Sequence, residues 1–146
     1  MSRWGIDWID ERLGISGIID NYDALVDEGI NMVINVMAEQ HDDIRALTKR
    51  GIIYFWIPIV DYMSPRSHHI ETFLSLVNLY KHKKILVHCE LGMGRSAFFA
   101  IVYMMNKWKN NNVSLYEAIE KLKEIRPEVC LSPLQMEKLV EIYGDD

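Results

Sequence analysis

The sequence predicts an α/β fold, a mostly parallel twisted sheet flanked by helices, and three observations carry that reading. Short apolar runs rich in β-branched residues recur at 32–36 (MVINV), 52–57 (IIYFWI) and 85–87 (ILV), without the alternation of a half-solvated strand. Helical spacing fills the intervals between them, the order expected of βαβ units. After the third run only helical patterns follow, so the fold ends in a helical tail.

Taken in order, the first clear helix is predicted after Ser64-Pro65, read as an N-cap serine and an N1 proline, with Ile70, Phe73, Leu74 and Val77 on one stripe. Residues 97–105 are apolar on nearly every face, as suits a helix buried mid-domain. Ser114 with Glu117 forms a capping box ahead of Leu115, Ile119, Leu122 and Ile125. Ser132-Pro133 with Gln135 forms another ahead of Leu139, Val140 and Tyr143. No repeat or linker composition interrupts the 146 residues, so residues 1–146 read as one domain.

Composition narrows the function. Sixteen basic and 21 acidic residues give a net charge of −5, which leaves no global footprint for nucleic acid or an anionic membrane. An anionic substrate therefore needs a local positive site. The two cysteines, Cys89 and Cys130, lack CxxC spacing, and Cys130 between Val129 and Leu131 reads as a packed small hydrophobe. The N-terminal MSRWGIDWIDER lacks the apolar core of a secretory signal and no run is long enough to span a bilayer, so a cytoplasmic protein is expected. His68, His69 and His82 read as surface residues, and no metal and no cofactor are expected. Trp4, Trp8, Trp56 and Trp108 are expected to pack.

The stretch ILVHCELGMGRS, 85–96, concentrates the chemistry. Its strand delivers Cys89 to the carboxyl edge of the sheet, where open α/β sheets bind ligands. Gly92 and Gly94 allow backbone angles that turn successive N–H groups toward one point, an anion nest at the positive end of the following helix. The same field favours a thiolate at Cys89, while Arg95 offers a planar fork to two phosphate oxygens. The ATP-binding loop is excluded, because GxxxxGK[ST] is absent.

HCELGMGRS resembles the HCxxGxxR[ST] signature of the cysteine-based protein tyrosine phosphatases, in the GxGR form of small dual-specificity enzymes. RLGISG, IPIVDYMSP and RPEVCLSPLQ extend the resemblance over nearly the whole chain, which looks most similar to small atypical dual-specificity phosphatases and their archaeal-type relatives. The resemblance implies that the loop between a central strand and a buried helix binds phosphate, with Cys89 as nucleophile and a cysteinyl-phosphate intermediate. It implies that Arg95 and the N–H groups of Glu90, Leu91, Gly92, Met93, Gly94 and Arg95 hold the phosphate oxygens, and that Ser96 steadies the thiolate. His88 then orients the loop from behind, and Asp61 is the general acid. Gln135 matches a water-positioning glutamine as well as a helix cap, and Glu39 matches an acidic position that fixes Arg95.

The expected activity is metal-independent hydrolysis of phosphotyrosine, and of phosphoserine or phosphothreonine, in phosphoproteins, by a monomer that binds neither nucleic acid nor membrane. A phosphoprotein-binding pseudophosphatase is the rival from another class, and an RNA 5′-triphosphatase or phosphoinositide phosphatase the rival within it. Glu90 at a variable place of the loop opposes highly anionic substrates.

Overall fold

A computed structural model describes residues 5–144. Trp4 lies outside the described residues. Five strands, β1 (Asp7–Trp8), β2 (Leu13–Ser16), β3 (Met32–Met37), β4 (Ile53–Ile59) and β5 (Ile85–His88), form one sheet in the order β1-β2-β5-β3-β4. All neighbours are parallel except β1 and β2, which are antiparallel. The helices are α1 (Tyr22–Asp27), α2 (Ile44–Lys49), α3 (Ser67–Leu79), α4 (Arg95–Lys107), α5 (Leu115–Ile125) and α6 (Pro133–Tyr143).

Period-two alternation sorts the strand side chains between two cores. Met32, Ile34 and Val36 of β3 and Ile85 and Val87 of β5 enter the larger core, with Phe73 of α3, Phe98 and Phe99 of α4, Leu122 of α5 and Leu139 of α6. Val33 and Leu86 point the other way, into a smaller core closed by Leu25 of α1 and Leu47 of α2. Helix α4 packs under the middle of the sheet, its first ten residues all buried, and its N-terminus receives the chain straight from the central strand β5. The strand before the loop is thus wholly buried, and so is most of the helix after it.

Four expectations need correction. β3 and β5 are fully buried, but β4 is an edge strand: Trp56 is 40% exposed and Pro58 faces solvent, where a missing N–H costs no ladder bond. α3 starts at Ser67 rather than after Ser64, with Arg66 as its N-cap, because Ser64 and Pro65 stay in the loop that follows β4. His69, expected at the surface, is half-buried and accepts the Arg66 N–H at Nδ1 (3.0 Å), doing at N3 what a capping-box carboxylate does. His68 and His82 are exposed. Cys130 is exposed rather than packed, since its neighbours Val129 and Leu131 turn toward the core and it faces the other way.

The reciprocal box at Ser132 and Gln135 is present, and Ser114 accepts the Glu117 N–H. Trp8 and Trp108 pack at the margins of the cores, and Trp56 donates its Nε1–H to the Met37 carbonyl at 2.7 Å. At the end of β3 the ladder to β4 slips between Asn35 and Met37. Asn35, wholly buried, stabilises that bulge by accepting the Met37 N–H (2.8 Å) and donating to the Gln40 carbonyl (2.8 Å). The bulge bends the chain into the loop that carries Glu39 and Asp42.

Candidate active site

Loop 89–94 leaves β5 and ends at Gly94, the residue capping α4. Each of its carbonyl oxygens from Cys89 to Met93 is held by a donor of the surrounding chain. His88 Nδ1 meets the Cys89 oxygen (3.3 Å) and the Ile18 N–H reaches that of Glu90 (3.0 Å). Arg126 gives Nη2 to Leu91 (3.1 Å) and Nε to Gly92 (2.9 Å), and the Cys130 N–H takes Met93 (2.8 Å). In a trans peptide the C=O and the next N–H point in opposite directions. Fixing five carbonyls outward therefore turns the N–H groups of residues 90–94 inward. Among the described residues only one of those five has an acceptor in the chain: the Gly92 N–H, which points at Cys89 Sγ at 3.2 Å.

Glycine is required at 92 on two counts. Its φ is +70°, and a Cβ would stand 2.7 Å from both Arg126 Nη2 and the Ser16 carbonyl carbon. Gly17 is needed by the same close approach, since a Cβ there would come within 2.7 Å of the Glu90 oxygen.

Cys89 is 3% exposed at the floor of a small cleft. Ser96 Oγ, in the first turn of α4, lies 3.3 Å from its sulfur. Asp61, Glu90, Leu91, Met93, Gly94, Arg95 and Gln135 line the same cleft, joined by Tyr62 and Cys130. Behind it, Arg95 is 1% exposed and held by Glu39 in a two-pronged pair, Nη1–Oε1 at 2.6 Å and Nη2–Oε2 at 2.7 Å, with Nη1 also donating to the Ile59 carbonyl (2.8 Å). Its Nε, the one buried side-chain nitrogen or oxygen among the described residues without a hydrogen-bond partner, sits 3.6 Å from Asp61 Oδ1. That donor is available to an anion in the cleft. The hydrogen bonds from Arg95 hold the Glu39 carboxyl below its usual range. For Arg95, burial opposes the charge, yet Glu39, Asp61 and Cys89 outweigh it and push the guanidinium up.

The loop after β4 places Asp61 and is fastened to α6. Tyr62 adopts φ +65°, a left-handed backbone uncommon for a bulky residue. Asp61 Oδ1 accepts its N–H (3.0 Å) and Ser132 Oγ donates to its carbonyl (2.7 Å). Gln135, 1% exposed, accepts the Ser132 N–H at Oε1 (2.9 Å) and gives Nε2 to the Met63 carbonyl (3.3 Å), while packing against Gly94. The glutamine therefore serves as the cap and as part of the cleft wall. No three His, Cys, Asp or Glu side chains among the described residues converge as a metal site would require.

A family model described as the dual specificity phosphatase catalytic domain matches residues 19–145. The chain belongs to this family. It is 31% identical over 118 residues to Dual specificity protein phosphatase 14 of Mus musculus, covering 79% of this chain and 56% of that protein. To Dual specificity protein phosphatase 5 of Homo sapiens it is 33% identical over 76 residues, covering 50% of this chain and 19% of that protein. The chain thus spans about a fifth of one curated relative and about half of the other. Its backbone matches the crystal structure of Tk-PTP in the active form with a TM-score of 0.78 at 25% identity, over 97% of each chain. The structure of PTPMT1 in complex with PI(5)P matches in fold, with a TM-score of 0.82 at 24% identity over 94% of this chain and 93% of that one.

For this dual-specificity phosphatase domain the sequence reading missed two buried residues. Arg126 stands in the quoted RPEVCLSPLQ, but only the folded chain reveals its two loop carbonyls and its pair with Asp7 (Nη1–Oδ2, 2.8 Å). Asp42, which no local pattern marks, is bound to His88 and lines no part of the cleft.

Arg126→Ala should lower stability by about 3 kcal/mol or more, the cost of breaking a buried ion pair, with urea denaturation as the measurement and Arg126→Lys restoring little of it. A second outcome concerns acid. Because the folded Glu39 carboxyl is depressed, its stabilisation is complete above the ordinary value of 4.5 and fades as pH falls toward the folded value. Urea midpoints at pH 6 and at pH 3.5 should therefore converge more closely in Glu39→Gln than in the unaltered protein.

Proposed function

We propose that this chain is a protein phosphatase that hydrolyses phosphotyrosine, and phosphoserine or phosphothreonine more slowly, through a cysteinyl-phosphate intermediate. The observation that carries the reading is the convergence of inward N–H groups and the unpartnered Nε of Arg95 on one cleft, with the Cys89 thiol at its floor. Such a nest suits a tetrahedral dianion, and its donors are fixed before substrate arrives.

Cys89 Sγ attacks phosphorus in line as the ester P–O bond breaks, and Asp61, at the cleft wall, gives its proton to the departing oxygen. Water then attacks phosphorus, the S–P bond breaks, the thiolate is regenerated beside Ser96 and the Gly92 N–H, and Asp61 takes a proton from the water. Gln135, on the same wall, is placed to orient that water. Arg95 and the amides supply the positive charge that the transition state needs, so the reaction requires no metal or other cofactor.

Two exposed apolar side chains, Tyr62 (72%) and Leu91 (62%), line the cleft and favour a phenyl phosphate over an alkyl one. The exposed Glu90 disfavours substrates with added phosphates. The partners are accordingly phosphoproteins, met by a monomer in the cytoplasm, with no role for nucleic acid or membrane. Two free cysteines fit a reducing compartment, and no helix of the described residues is long and apolar enough to cross a membrane.

Initial rates on phosphotyrosine and phosphothreonine versions of one peptide, beside a soluble phosphoinositide, test the substrate. The tyrosine peptide should show the highest kcat/KM, Cys89→Ser should abolish turnover while retaining peptide binding, and a clear phosphoinositide preference would overturn the assignment. Asp61→Asn should slow hydrolysis by about 10²-fold, with a larger loss on the phosphothreonine peptide than on p-nitrophenyl phosphate, whose leaving group needs no proton.

A further inference from the structure

Asp42 belongs to no surface network. Its side chain is 6% exposed and its Oδ2 lies 2.6 Å from His88 Nε2, the short distance of a charge-assisted bond. The other ring nitrogen of His88, itself 1% exposed, faces the Cys89 carbonyl at 3.3 Å. Both nitrogens of one buried imidazole therefore face oxygens that can only accept. A neutral ring has one N–H and would leave a lone pair against one of them, whereas an imidazolium satisfies both. The Asp42 carboxylate supplies the balancing charge that a buried cation needs.

The backbone at Asp42 is itself held in place. The Asp42 N–H donates to the Tyr54 hydroxyl (3.3 Å), which also receives Asn35 Nδ2 (3.0 Å) and, with two donors already on its oxygen, gives its own proton to His41 Nδ1 (3.0 Å). Tyr54 is kept protonated by burial first, with the charge of Asp42 adding to it. Tyr22 is kept so by burial and by Asp42 and Asp43, whose N–H it accepts at 2.8 Å. The titratable groups around the pair are thus Tyr22, His41, Asp43, Tyr54 and Cys89.

We propose that Asp42 is a positioning residue for the nucleophile, holding His88 doubly protonated so that its Nδ1–H grips the Cys89 carbonyl. The grip turns the Glu90 N–H, on the far side of the same peptide plane, into the cleft, and places a positive ring edge beside the cysteine backbone. Of the five outward carbonyls, this is the one held by an imidazole nitrogen, which donates in some protonation states and tautomers and not in others. The role rests on the phosphatase reading of the site.

Nitrogen NMR of protein labelled at histidine, with His88 assigned from a His88→Gln variant, should show both ring nitrogens of His88 protonated. In Asp42→Asn the ring should become neutral, and iodoacetamide alkylation of Cys89 at pH 6 should slow about tenfold, the usual scale for losing an outer partner of a reactive group. Peptide mass analysis separates this from alkylation of the exposed Cys130. Asp42→Glu should restore part of both signals. A neutral His88 in the unaltered protein overturns the proposal, as does a folded Asp42→Asn protein whose His88 signals and alkylation rate are unchanged. The ring signals require no turnover, so this proposal and the phosphatase reading fail by different measurements.

Discussion

The candidate site depends on one constraint, that five consecutive carbonyl oxygens of loop 89–94 are held away from the cleft. A loop of free peptides would present carbonyls and amides alike to an anion, and the carbonyls would repel it. Here donors from four separate places, β5, the chain after β2, Arg126 and Cys130, bind the carbonyls before any ligand arrives. The largest share falls to Arg126, which also donates to the Gly5 carbonyl and pairs with Asp7 in β1, so that one guanidinium joins the start of the chain, the loop and the segment before α6. The short antiparallel β1, otherwise a minor edge of the sheet, thereby bears on the geometry around the thiol.

Arg95 is fixed by an equally particular arrangement. Its planar group is gripped along one side by Glu39 and the end of β4, which leaves Nε toward the cleft and prevents the side chain from turning away. Glu39 is available because the Asn35 bulge bends the chain just after β3. A buried asparagine in the strand thus sets the orientation of an arginine more than fifty residues later, through hydrogen bonds short enough to carry direction.

Much of this was legible in the sequence, for identifiable reasons. Buried parallel strands read as continuous apolar runs, and those at 32–36 and 85–87 are buried on both faces. The residues of the phosphate-type loop are contiguous, so Cys89, Gly92, Gly94, Arg95 and Ser96 fall together by chain connectivity alone. Asp61 and Gln135 reached the same cleft because each follows a recognisable boundary, a strand end and a helix cap. What escaped depends on contacts distant in sequence. Arg126 looks like any arginine before a proline until it meets Leu91 and Gly92, and Asp42 looks solvated until His88 closes on it. The edge position of β4 follows from strand order, which no local pattern encodes. The start of α3 was displaced because a serine and a proline that make a good cap also make a good turn, and here the acid-bearing loop claimed them.

The fastening of that loop to α6 ties the two together. Ser132 and Gln135 hold the carbonyls of Tyr62, itself in a left-handed backbone, and of Met63. A loop moored in this way cannot swing clear of the cleft without giving up both hydrogen bonds to the start of α6. On the reading proposed above, a displacement of the segment that carries Asp61 would therefore be felt at the first turn of α6 as well.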